Sequence, residues 1–276
     1  MSKLAALRVL KKELHVSHSQ VFTYLACPQK YKFSYVEQRP VERVSINLLF
    51  GSAIHKALEV FWRSIQQGQK EPLSSLEQAF EIHLQNDLKQ REQPIVYKKG
   101  LPDEEGCLDM GKKLLKAFIE NICTDGFQVV DVEAPLSARL YDVNGQTTDF
   151  NLVGVIDLIL MDEAGILWAI DHKTAAQPYS QAKVNLDGQL SAYAYLLAAN
   201  KYVSRLDEVH LRFDVLRKLK TPKLEHYETL RTPKDRRTFA KLVCAVLNAI
   251  DYRVFYPNRS WMCLDCQHKD ACNEAW

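Results

Sequence analysis

The spacing of apolar residues changes along the chain and separates helical stretches from strand-rich ones. Between residues 51 and 67, apolar side chains recur at helical intervals, which predicts an amphipathic helix. Near the N-terminus, Ser17 and Gln20 fit a capping box that begins a short helix, and Cys27-Pro28 ends it. Helical spacing predicts further helices over 73–90, 110–122, 186–200 and 234–252.

A strand-rich stretch begins at Phe127. Four of its segments predict successive strands: FQVVDVEA, LSARLYDV, FNLVGVIDLIL and ILWAIDHKT. Asn144-Gly145 and the segment 162–165 supply turns, and two more strands are predicted over 209–216 and 226–230. Upstream, QPIVYKKGLPDEEG is rich in proline, glycine and charge and predicts a mobile loop. The order of elements predicts one α/β domain with a helical N-terminal insertion.

The strand hairpin brings two carboxylates together. If the chain turns at 162–165, residues that face each other across the hairpin have numbers that add up to about 327, so Asp157 faces residue 170 or 171. Asp171 therefore lies beside Asp157. Lys173 is two positions further on and shares a strand face with Asp171, because side chains alternate.

Two converging carboxylates repel each other unless a proton or a cation lies between them. Oxygen ligands of this kind suit Mg²⁺ or Mn²⁺, which also bind phosphate oxygens. A nearby lysine can orient the attacking water or offset charge on phosphorus. The hairpin therefore predicts a phosphodiester-hydrolysis site. The alternative is a pair of surface aspartates with Lys173 as a solvated partner, because an isolated D-x-K pattern is short.

The ordered motifs resemble those of a known family. Gly154-Val-Ile-Asp157, Asp171-His-Lys173 and Gln189-x-x-x-Tyr193 resemble the PD-(D/E)xK nuclease superfamily, specifically its RecB-like branch. Gly51-Ser-Ala-Ile-His55 resembles the G-x-x-x-H helix of that branch. The resemblance runs from about residue 17 to residue 272. It implies a restriction-endonuclease-like core, in which helices flank a mixed central sheet.

The resemblance also implies the roles of the site residues. A metal would be held by His55, Asp157, Asp171 and the backbone carbonyl of His172, with Lys173 catalytic. Gln189 and Tyr193 are four residues apart on one helix face, so both can point toward the same substrate strand.

Several of these residues have plainer interpretations. His55 shares its helix with apolar residues, where a lone histidine is more often a core residue; its place in the motif set favours a ligand. Tyr193 is as well explained by helix packing. Glu133 resembles an acidic position often seen in this branch, where it would have a supporting role, and is equally well a solvated strand carboxylate. Strand alternation turns the ring of His172 away from the site.

The C-terminal tail contains Cys263-x-x-Cys266-x₅-Cys272, and Cys27 stands far upstream. Four thiolates can bind a [4Fe–4S] cluster, which would tie the N-terminal helix to the tail. RecB-like iron–sulfur nucleases, including CRISPR adaptation nucleases and AddAB-type nuclease domains, have this arrangement of cysteines. The alternative is structural Zn²⁺ bound by the three tail cysteines and His268. The remaining thiols are predicted to be ordinary ones: Cys107, Cys123 and Cys244.

Composition narrows the class of protein. The chain has 276 residues, 47% hydrophobic and 25% charged, as in ordinary globular proteins. No apolar run approaches the roughly 18 residues of a membrane-spanning helix, and residues 1–20 lack the apolar core of a secretory signal. We therefore expect a cytoplasmic protein that does not engage a membrane, with cysteines that are thiols or metal ligands rather than disulfides.

Charge is distributed unevenly around a net value of +2. Residues 1–50 carry +5 and residues 201–241 carry +6, so the rest of the chain carries −9. Two basic segments favour a polyanion path beside a cation-binding centre, and solvated helix faces explain them equally well. The predicted backbone contacts are Lys30, Lys32, Arg39, Arg43, Arg212, Arg217, Lys218 and Lys220. Tyr31, Phe33 and Tyr35 can stack on single-stranded bases, although at least two of them are predicted to be core residues.

These observations predict a single nuclease domain over 1–276. Its parts are the first half of the cluster cap (17–50), a helical region (51–126), the catalytic sheet and helix (127–232) and the C-terminal helix with the cysteine tail (233–276). The predicted activity is that of a metal-dependent exonuclease on single-stranded DNA or DNA ends, in recombination, repair or CRISPR adaptation. Any unwinding would come from a partner, because no helicase motor motif is present. A helicase, recombinase or integrase is the expected kind of partner.

Two other functions fit the same residues. A nuclease-fold subunit without activity could serve as a DNA-binding scaffold of a larger complex, although the complete set of His55, Asp157, Asp171 and Lys173 argues against it. A nuclease directed at RNA is the other alternative. The motifs leave cleavage polarity and oligomeric state open.

Overall fold

The computed structural model describes residues 14–142 and 144–276; residues 1–13, with most of the charged N-terminal segment, lie outside the described residues. The strands are β1 (His15–Ser17), β2 (Val44–Ser45), β3 (Ile95–Val96), β4 (Phe127–Tyr141), β5 (Thr147–Asp162), β6 (Leu167–Ala175), β7 (Val209–Arg217) and β8 (Lys223–Arg231). The helices are α1 (His18–Ala26), α2 (Pro28–Tyr31), α3 (Ile46–Gln66), α4 (Leu73–Lys89), α5 (Glu104–Asn121), α6 (Gln181–Asn185), α7 (Gly188–Ala199), α8 (Pro233–Asp251) and α9 (Lys269–Ala275). A π-helical turn follows α2 over Lys32–Val36, and a 3₁₀ turn precedes α9 over Trp261–Asp265.

A six-stranded mixed sheet forms the centre of the molecule. Strand β5 is antiparallel to β4 along one edge and to β6 along part of the other. Strand β6 is parallel to β7 through the crossover that contains α6 and α7, and β7 is antiparallel to β8. The short β1 pairs in parallel with residues 151–153 of β5. This mixed sheet flanked by helices confirms the predicted α/β class.

Helices cover both faces of the sheet and bury two apolar cores. On one face, α1, α7 and α8 pack around Val21, Leu190 and Val243. On the other face, α3, α4 and α5 supply a second core that includes Trp62 and Phe80. Among the described helices, none is both long and apolar enough to cross a bilayer.

The capping prediction at the start of α1 is confirmed. Ser17 is the N-cap: its hydroxyl accepts from the backbone N–H of Gln20, while the Gln20 side chain accepts from the Ser17 N–H. The helix ends at Ala26, and Pro28 then occupies the first turn of α2, where a missing N–H costs nothing.

Other element boundaries differ from the prediction. FQVVDVEA and LSARLYDV form one 15-residue strand, β4, with Pro135 inside it. A proline is tolerated there because β4 is an edge strand that pairs with β5 alone in the described sheet. Helix α5 begins at Glu104 rather than at residue 110, because the Asp103 side chain caps it by accepting from Gly106 N–H. The segment predicted as a mobile loop contains β3, which pairs with β2.

Candidate active site

A fork in the sheet creates the site. Strand β1 pairs with β5 as far as Val153, and β6 pairs with β5 from Leu158 onward, along the edge opposite to β4. Residues 154–157 of β5 therefore lie between two neighbouring strands that diverge. Beyond the last strand pair, the backbone N–H of His172 donates to Asp157 Oδ2 at 3.0 Å. The predicted hairpin thus brings Asp157 next to the Asp171 end of β6.

Three side chains at the fork converge on one point. Nδ1 of His55, on α3, lies 3.1 Å from Asp157 Oδ2. One ligand atom each from His55, Glu133 and Asp157 lies within 4.8 Å of the other two. An imidazole nitrogen with two carboxylates is a donor set that fits a hard divalent cation such as Mn²⁺ or Mg²⁺.

Glu133 joins this cluster through an unusual backbone conformation. Its neighbours Val132 and Ala134 pair with Leu158 and Ile156, so Glu133 lies opposite Asp157 on the adjacent strand. Its φ angle is +52°, in the left-handed region that a residue with a Cβ seldom adopts. Such strain, of order 1–3 kcal/mol, concentrates at functional sites. The sequence left the role of Glu133 open, and the structure places it, buried, in the candidate metal cluster.

Asp171 and Lys173 form the second half of the site. Lys173 Nζ lies 2.7 Å from Asp171 Oδ2 and donates to Gln189 Oε1 at 2.7 Å. Gln189 Nε2 in turn donates to Asp171 Oδ1 at 2.5 Å. The hydroxyl of Tyr193 also donates to Asp171 Oδ1, at 2.9 Å. Asp171 is thus held from three sides, by a cation, an amide and a phenol.

Burial and neighbouring charges act on both members of this pair. Burial raises the pKa of Asp171, Lys173 lowers it and Asp157 raises it again, so that the net direction is upward. Burial lowers the pKa of Lys173, but Asp171 and Asp157 raise it above its ordinary value. Lys173 is therefore a cation at neutral pH, and the carboxylates at the fork still repel each other, which a bound cation would relieve.

The ring of His172 packs against Trp62 of α3 and is not part of the cleft lining, but it is not turned fully away from the site as alternation predicted. Its Nε2 accepts from Trp62 Nε1 at 3.2 Å, and its Nδ1 lies 3.8 Å from Asp157 Oδ2. The ring thus remains close to Asp157 while it packs into the core beneath α3. Through its ring and its backbone N–H, His172 holds Asp157 in place.

One cleft of about 420 Å³ exposes these groups. Its lining brings together all of the predicted site side chains: His55, Asp157, Asp171, Lys173, Gln189 and Tyr193. The lining also includes His15, Ser17, His18, Ser19, Gln20 and Tyr35. Tyr193 lines the cleft but is only 4% exposed, and its hydroxyl donates to Asp171.

Two predicted backbone contacts are wrong, because their guanidinium groups are buried in ion pairs. Arg212 is 8% exposed and binds Asp214 through two hydrogen bonds, and Arg217 is 6% exposed and binds Glu225. Lys218 donates to Asn47 Oδ1 at 2.6 Å. In the N-terminal basic segment, ion pairs hold three more cations: Lys32 and Arg39 with Glu37, and Arg43 with Asp270. Of the remaining two, Lys220 is exposed and Lys30 lines the cysteine pocket.

The three aromatic residues of the N-terminal segment differ in exposure. Tyr31 and Phe33 are buried, which confirms that two of the three belong to the core. Tyr35 is 38% exposed and lines the same cleft as Asp157 and Lys173.

Four cysteines line one pocket between the N-terminal helices and the C-terminal tail. Cys27, Cys263, Cys266 and Cys272 all line it, and all are free thiols. Backbone N–H groups of Lys30 and Asn258 donate to Cys27 Sγ at 3.5 and 3.4 Å. Burial, and next the Cys27 thiol, raise the pKa of Cys272. Thiols gathered in this way, with N–H groups directed at sulfur, fit the ligand set of a metal cluster.

His268 is the fourth ligand of the zinc alternative, and it lines the same pocket. Its Nε2 lies 2.9 Å from Ser34 Oγ, and its buried Nδ1 has no hydrogen-bond partner among the described residues. This nitrogen keeps the zinc alternative open.

Comparison with known proteins identifies the family. The sequence profile of the PD-(D/E)XK nuclease superfamily matches residues 15–273, so the chain belongs to this superfamily. Its fold is similar to that of a "putative exonuclease" from Eubacterium rectale, with a TM-score of 0.57 and 8% identity over 95% of this chain and 88% of that one. At this identity the likeness shows the fold alone. The protein SSO0001 aligns with a TM-score of 0.38 and 15% identity over 94% of each chain, which is too distant for an argument. No curated protein matches the sequence significantly.

Proposed function

We propose that this protein is a divalent-metal-dependent DNA exonuclease of the RecB-like branch, acting on single-stranded DNA or DNA ends. The observation that carries the proposal is the meeting of His55, Glu133 and Asp157 within 4.8 Å, beside a cleft that His55 and Asp157 line together with Asp171 and Lys173. Recombination, repair or CRISPR adaptation would use such an activity, with a helicase, recombinase or integrase as partner. A cytoplasmic location suits its free thiols.

The contacts at the fork and the resemblance to the RecB-like motifs together support the proposed roles. His55, Glu133, Asp157 and Asp171, with the backbone carbonyl of His172, would hold the metal. A divalent cation at such a site stabilises charge on the phosphate and makes water a better nucleophile. Lys173 is a protonated amine, so it orients water or offsets charge on phosphorus and does not accept a proton. Gln189 and Tyr193 fix the side chains of Asp171 and Lys173 in position through hydrogen bonds.

For the cysteine pocket we propose a [4Fe–4S] cluster held by Cys27, Cys263, Cys266 and Cys272. The proposal is supported by the shared pocket, by N–H groups directed at Cys27, and by a hydrogen bond from Ser260 N–H to Cys263 Sγ at 3.4 Å. Such a cluster would fasten the segment after α1 to the tail. Zinc bound by Cys263, Cys266, Cys272 and His268 is the second candidate, which the unpartnered Nδ1 of His268 favours. Iron, sulfide and zinc analysis of the purified protein distinguishes the two.

Digestion of end-labelled DNA tests the proposed activity. Single-stranded, blunt-duplex and circular forms of one sequence are incubated with Mg²⁺ or Mn²⁺ and with EDTA. The proposal expects metal-dependent degradation of linear single strands from an end, with circular DNA left intact. Absence of cleavage on every form, with DNA binding retained, would instead establish the scaffold function. Cleavage of RNA in preference to DNA would establish the RNA-directed alternative.

A further inference from the structure

Two aromatic rings in the wall of the catalytic cleft have no part in the proposed metal chemistry. His18 is the first residue of α1, and Tyr35 lies in the π-helical turn that follows α2. Both line the same cleft as Asp157 and Lys173. Because β1 ends at Ser17, beside Val153 of β5, His18 enters the cleft next to the open stretch of β5.

Each of these rings is supported by a second aromatic ring. The centroid of His18 lies 4.5 Å from that of Phe22, at an interplanar angle of 36°. The centroid of Tyr35 lies 5.1 Å from that of the buried Tyr31, at 40°. Rings that are already held by packing lose little conformational freedom when a ligand binds them.

Phe22 itself is fixed by close packing against the N-terminus of α7. A Cβ added at Gly188 would lie 1.8 Å from Phe22 Cζ, so only glycine leaves room for this ring. Asp187, the N-cap of α7, also acts electrostatically on His18. The position of His18 is therefore tied to the helix that carries Gln189 and Tyr193.

His18 is an uncharged ring at neutral pH. Burial lowers the pKa of His18 to about 4; Asp187 opposes this shift and Lys173 reinforces it. A neutral imidazole presents a flat aromatic face and can stack on a base without the desolvation that a cation would require. Lys173 remains the charged group beside it.

We propose that His18 and Tyr35 form a base-stacking wall that makes this cleft selective for single-stranded DNA. This inference rests on the proposed nuclease function and identifies the residues that make the cleft prefer single-stranded over duplex DNA. Stacking on aromatic side chains tolerates any sequence, because every base has a π face. A duplex keeps those faces covered by neighbouring base pairs, whereas a single strand or a frayed end offers them to the wall.

Equilibrium binding of a fluorescent single-stranded oligonucleotide tests the wall. It is measured with Ca²⁺, beside a blunt duplex of the same sequence. His18→Ala and Tyr35→Ala should each weaken single-strand binding on the order of tenfold, and leave duplex binding unchanged. His18→Phe and Tyr35→Phe keep a ring and should bind close to the wild-type level. Tyr252→Ala is the matched control, because it removes an exposed tyrosine that does not line the cleft.

Either of two results would overturn the inference. One is wild-type single-strand affinity in the alanine variants, and the other is a loss of single-strand and duplex affinity in equal proportion, which would indicate a general structural defect. Thermal unfolding of each variant distinguishes misfolding from a lost contact, and the phenylalanine variants keep the test valid if an alanine variant fails to fold. Wild-type protein that neither binds nor cleaves any DNA would refute the proposed function itself.

Discussion

At the scale of single residues, the proposed metal binding depends on how firmly Asp157 is held. His55 Nδ1 and the backbone N–H of His172 both contact its Oδ2 atom, at 3.1 and 3.0 Å. Trp62 fixes the His172 ring by donating to its Nε2 at 3.2 Å. A chain of contacts thus runs from the buried core under α3 to the proposed metal ligand. Outer partners of this kind orient a ligand before metal binds.

Trp62→Phe tests this chain of contacts. The substitution keeps an aromatic ring in the core but leaves the buried His172 Nε2 without its donor. We expect the Mn²⁺ concentration for half-maximal cleavage to rise about 10- to 100-fold. Trp168→Phe is the matched control: this indole donates to Asp162 at the far end of the hairpin, so its loss should leave the Mn²⁺ requirement unchanged. Equal metal requirements in both variants would refute the positioning role of Trp62.

The sequence predicted some residues of the site better than others. Asp157, Asp171 and Lys173 follow from a turn position and a two-residue period, both of which are local properties of the chain. Glu133 does not, because its positive φ interrupts strand alternation, and no sequence rule places a glutamate in that conformation. Tyr193 was placed on the correct helix face, but which neighbour that face contacts depends on tertiary packing.

At the scale of elements, apolar periodicity located the helices well but missed the first turns of α3 and α5. Helix α5 begins at Glu104, in a charged segment that lacks apolar spacing and is ordered by the Asp103 cap. Strand β4 continues through Pro135, which has no backbone N–H to donate, because no strand in the described sheet pairs with the outer edge of β4. Caps and edge positions depend on neighbours that a local pattern does not contain.

Two helical glycines give opposite predictions for stability. A Cβ at Gly111 of α5 would lie 2.2 Å from two ring atoms of the buried Phe80 on α4, whereas the nearest atom to a Cβ at Gly51 is 4.0 Å away. Gly111→Ala should therefore cost about 1–3 kcal/mol through overpacking. Gly51→Ala should gain about 0.5–1 kcal/mol, because alanine favours helix. Urea unfolding of both variants measures the difference. A Gly111→Ala protein as stable as wild type would contradict the packing of α4 on α5.

At the scale of the whole molecule, the tail and the N-terminal helices close on each other. Gln29 N–H donates to the Tyr256 carbonyl at 3.0 Å, and the Tyr24 hydroxyl donates to the Val254 carbonyl at 2.7 Å. The cysteine pocket lies at this junction. The order of the cysteine motifs suggested that the N-terminal helix and the tail would meet. The packing that brings them together depends on aromatic contacts such as that of Tyr24 with Phe255, whose ring centroids lie 6.4 Å apart.

Cys27→Ser tests the proposed cluster as a fastening of the two ends. We expect loss of bound iron and of visible absorbance, together with a lower Tm, because one of four ligands is removed. Cys123→Ser is the control, since that thiol is exposed and does not line the pocket. Iron analysis and thermal unfolding of both variants are the measurements. Full iron content in Cys27→Ser would contradict the four-cysteine site, and stoichiometric zinc in its place would favour the three tail cysteines with His268.

The basic segments show that the net charge of a segment does not predict which of its cations can contact DNA. Arg212 and Arg217 contribute to the charge of residues 201–241, yet both guanidinium groups are buried in ion pairs. A sequence reports the number of cations in a segment but not which of them find a carboxylate in the fold. The excess of positive charge therefore overstated the surface available to DNA.

Asp214 gives a prediction for stability against pH. Burial raises the pKa of Asp214, but His226 and Arg212 lower it, and the net direction is downward. A depressed folded-state pKa stabilises the fold above the unfolded value of about 4, and this contribution is lost as pH falls through the folded pKa. Asp214→Asn should cost about 3–5 kcal/mol at pH 7, because it leaves Arg212 buried without its carboxylate.

Urea unfolding across pH checks the sign of this effect. The difference between wild type and Asp214→Asn should begin to shrink below about pH 4, where the carboxylate gains a proton in the unfolded wild-type chain, and should be lost once pH falls below the depressed folded-state pKa. Asp251→Asn, at an exposed position at the end of α8, should change stability by less than about 0.5 kcal/mol. A constant difference between wild type and Asp214→Asn at every pH would show that the carboxylate charge is not what stabilises this part of the core.

We propose that a divalent cation at the fork and the ammonium group of Lys173 together cleave DNA. The most direct measurement is the rate at which Lys173→Ala releases label from end-labelled single-stranded DNA, compared with wild type, in Mn²⁺ and in EDTA. We expect wild type to cleave the DNA in Mn²⁺ and not in EDTA. Lys173→Ala should cleave it roughly 100- to 1,000-fold more slowly although it still binds DNA. Lys183→Ala, an exposed lysine outside the cleft, should cleave like wild type. Full activity in Lys173→Ala, or cleavage by wild type that persists in EDTA, would contradict this proposal.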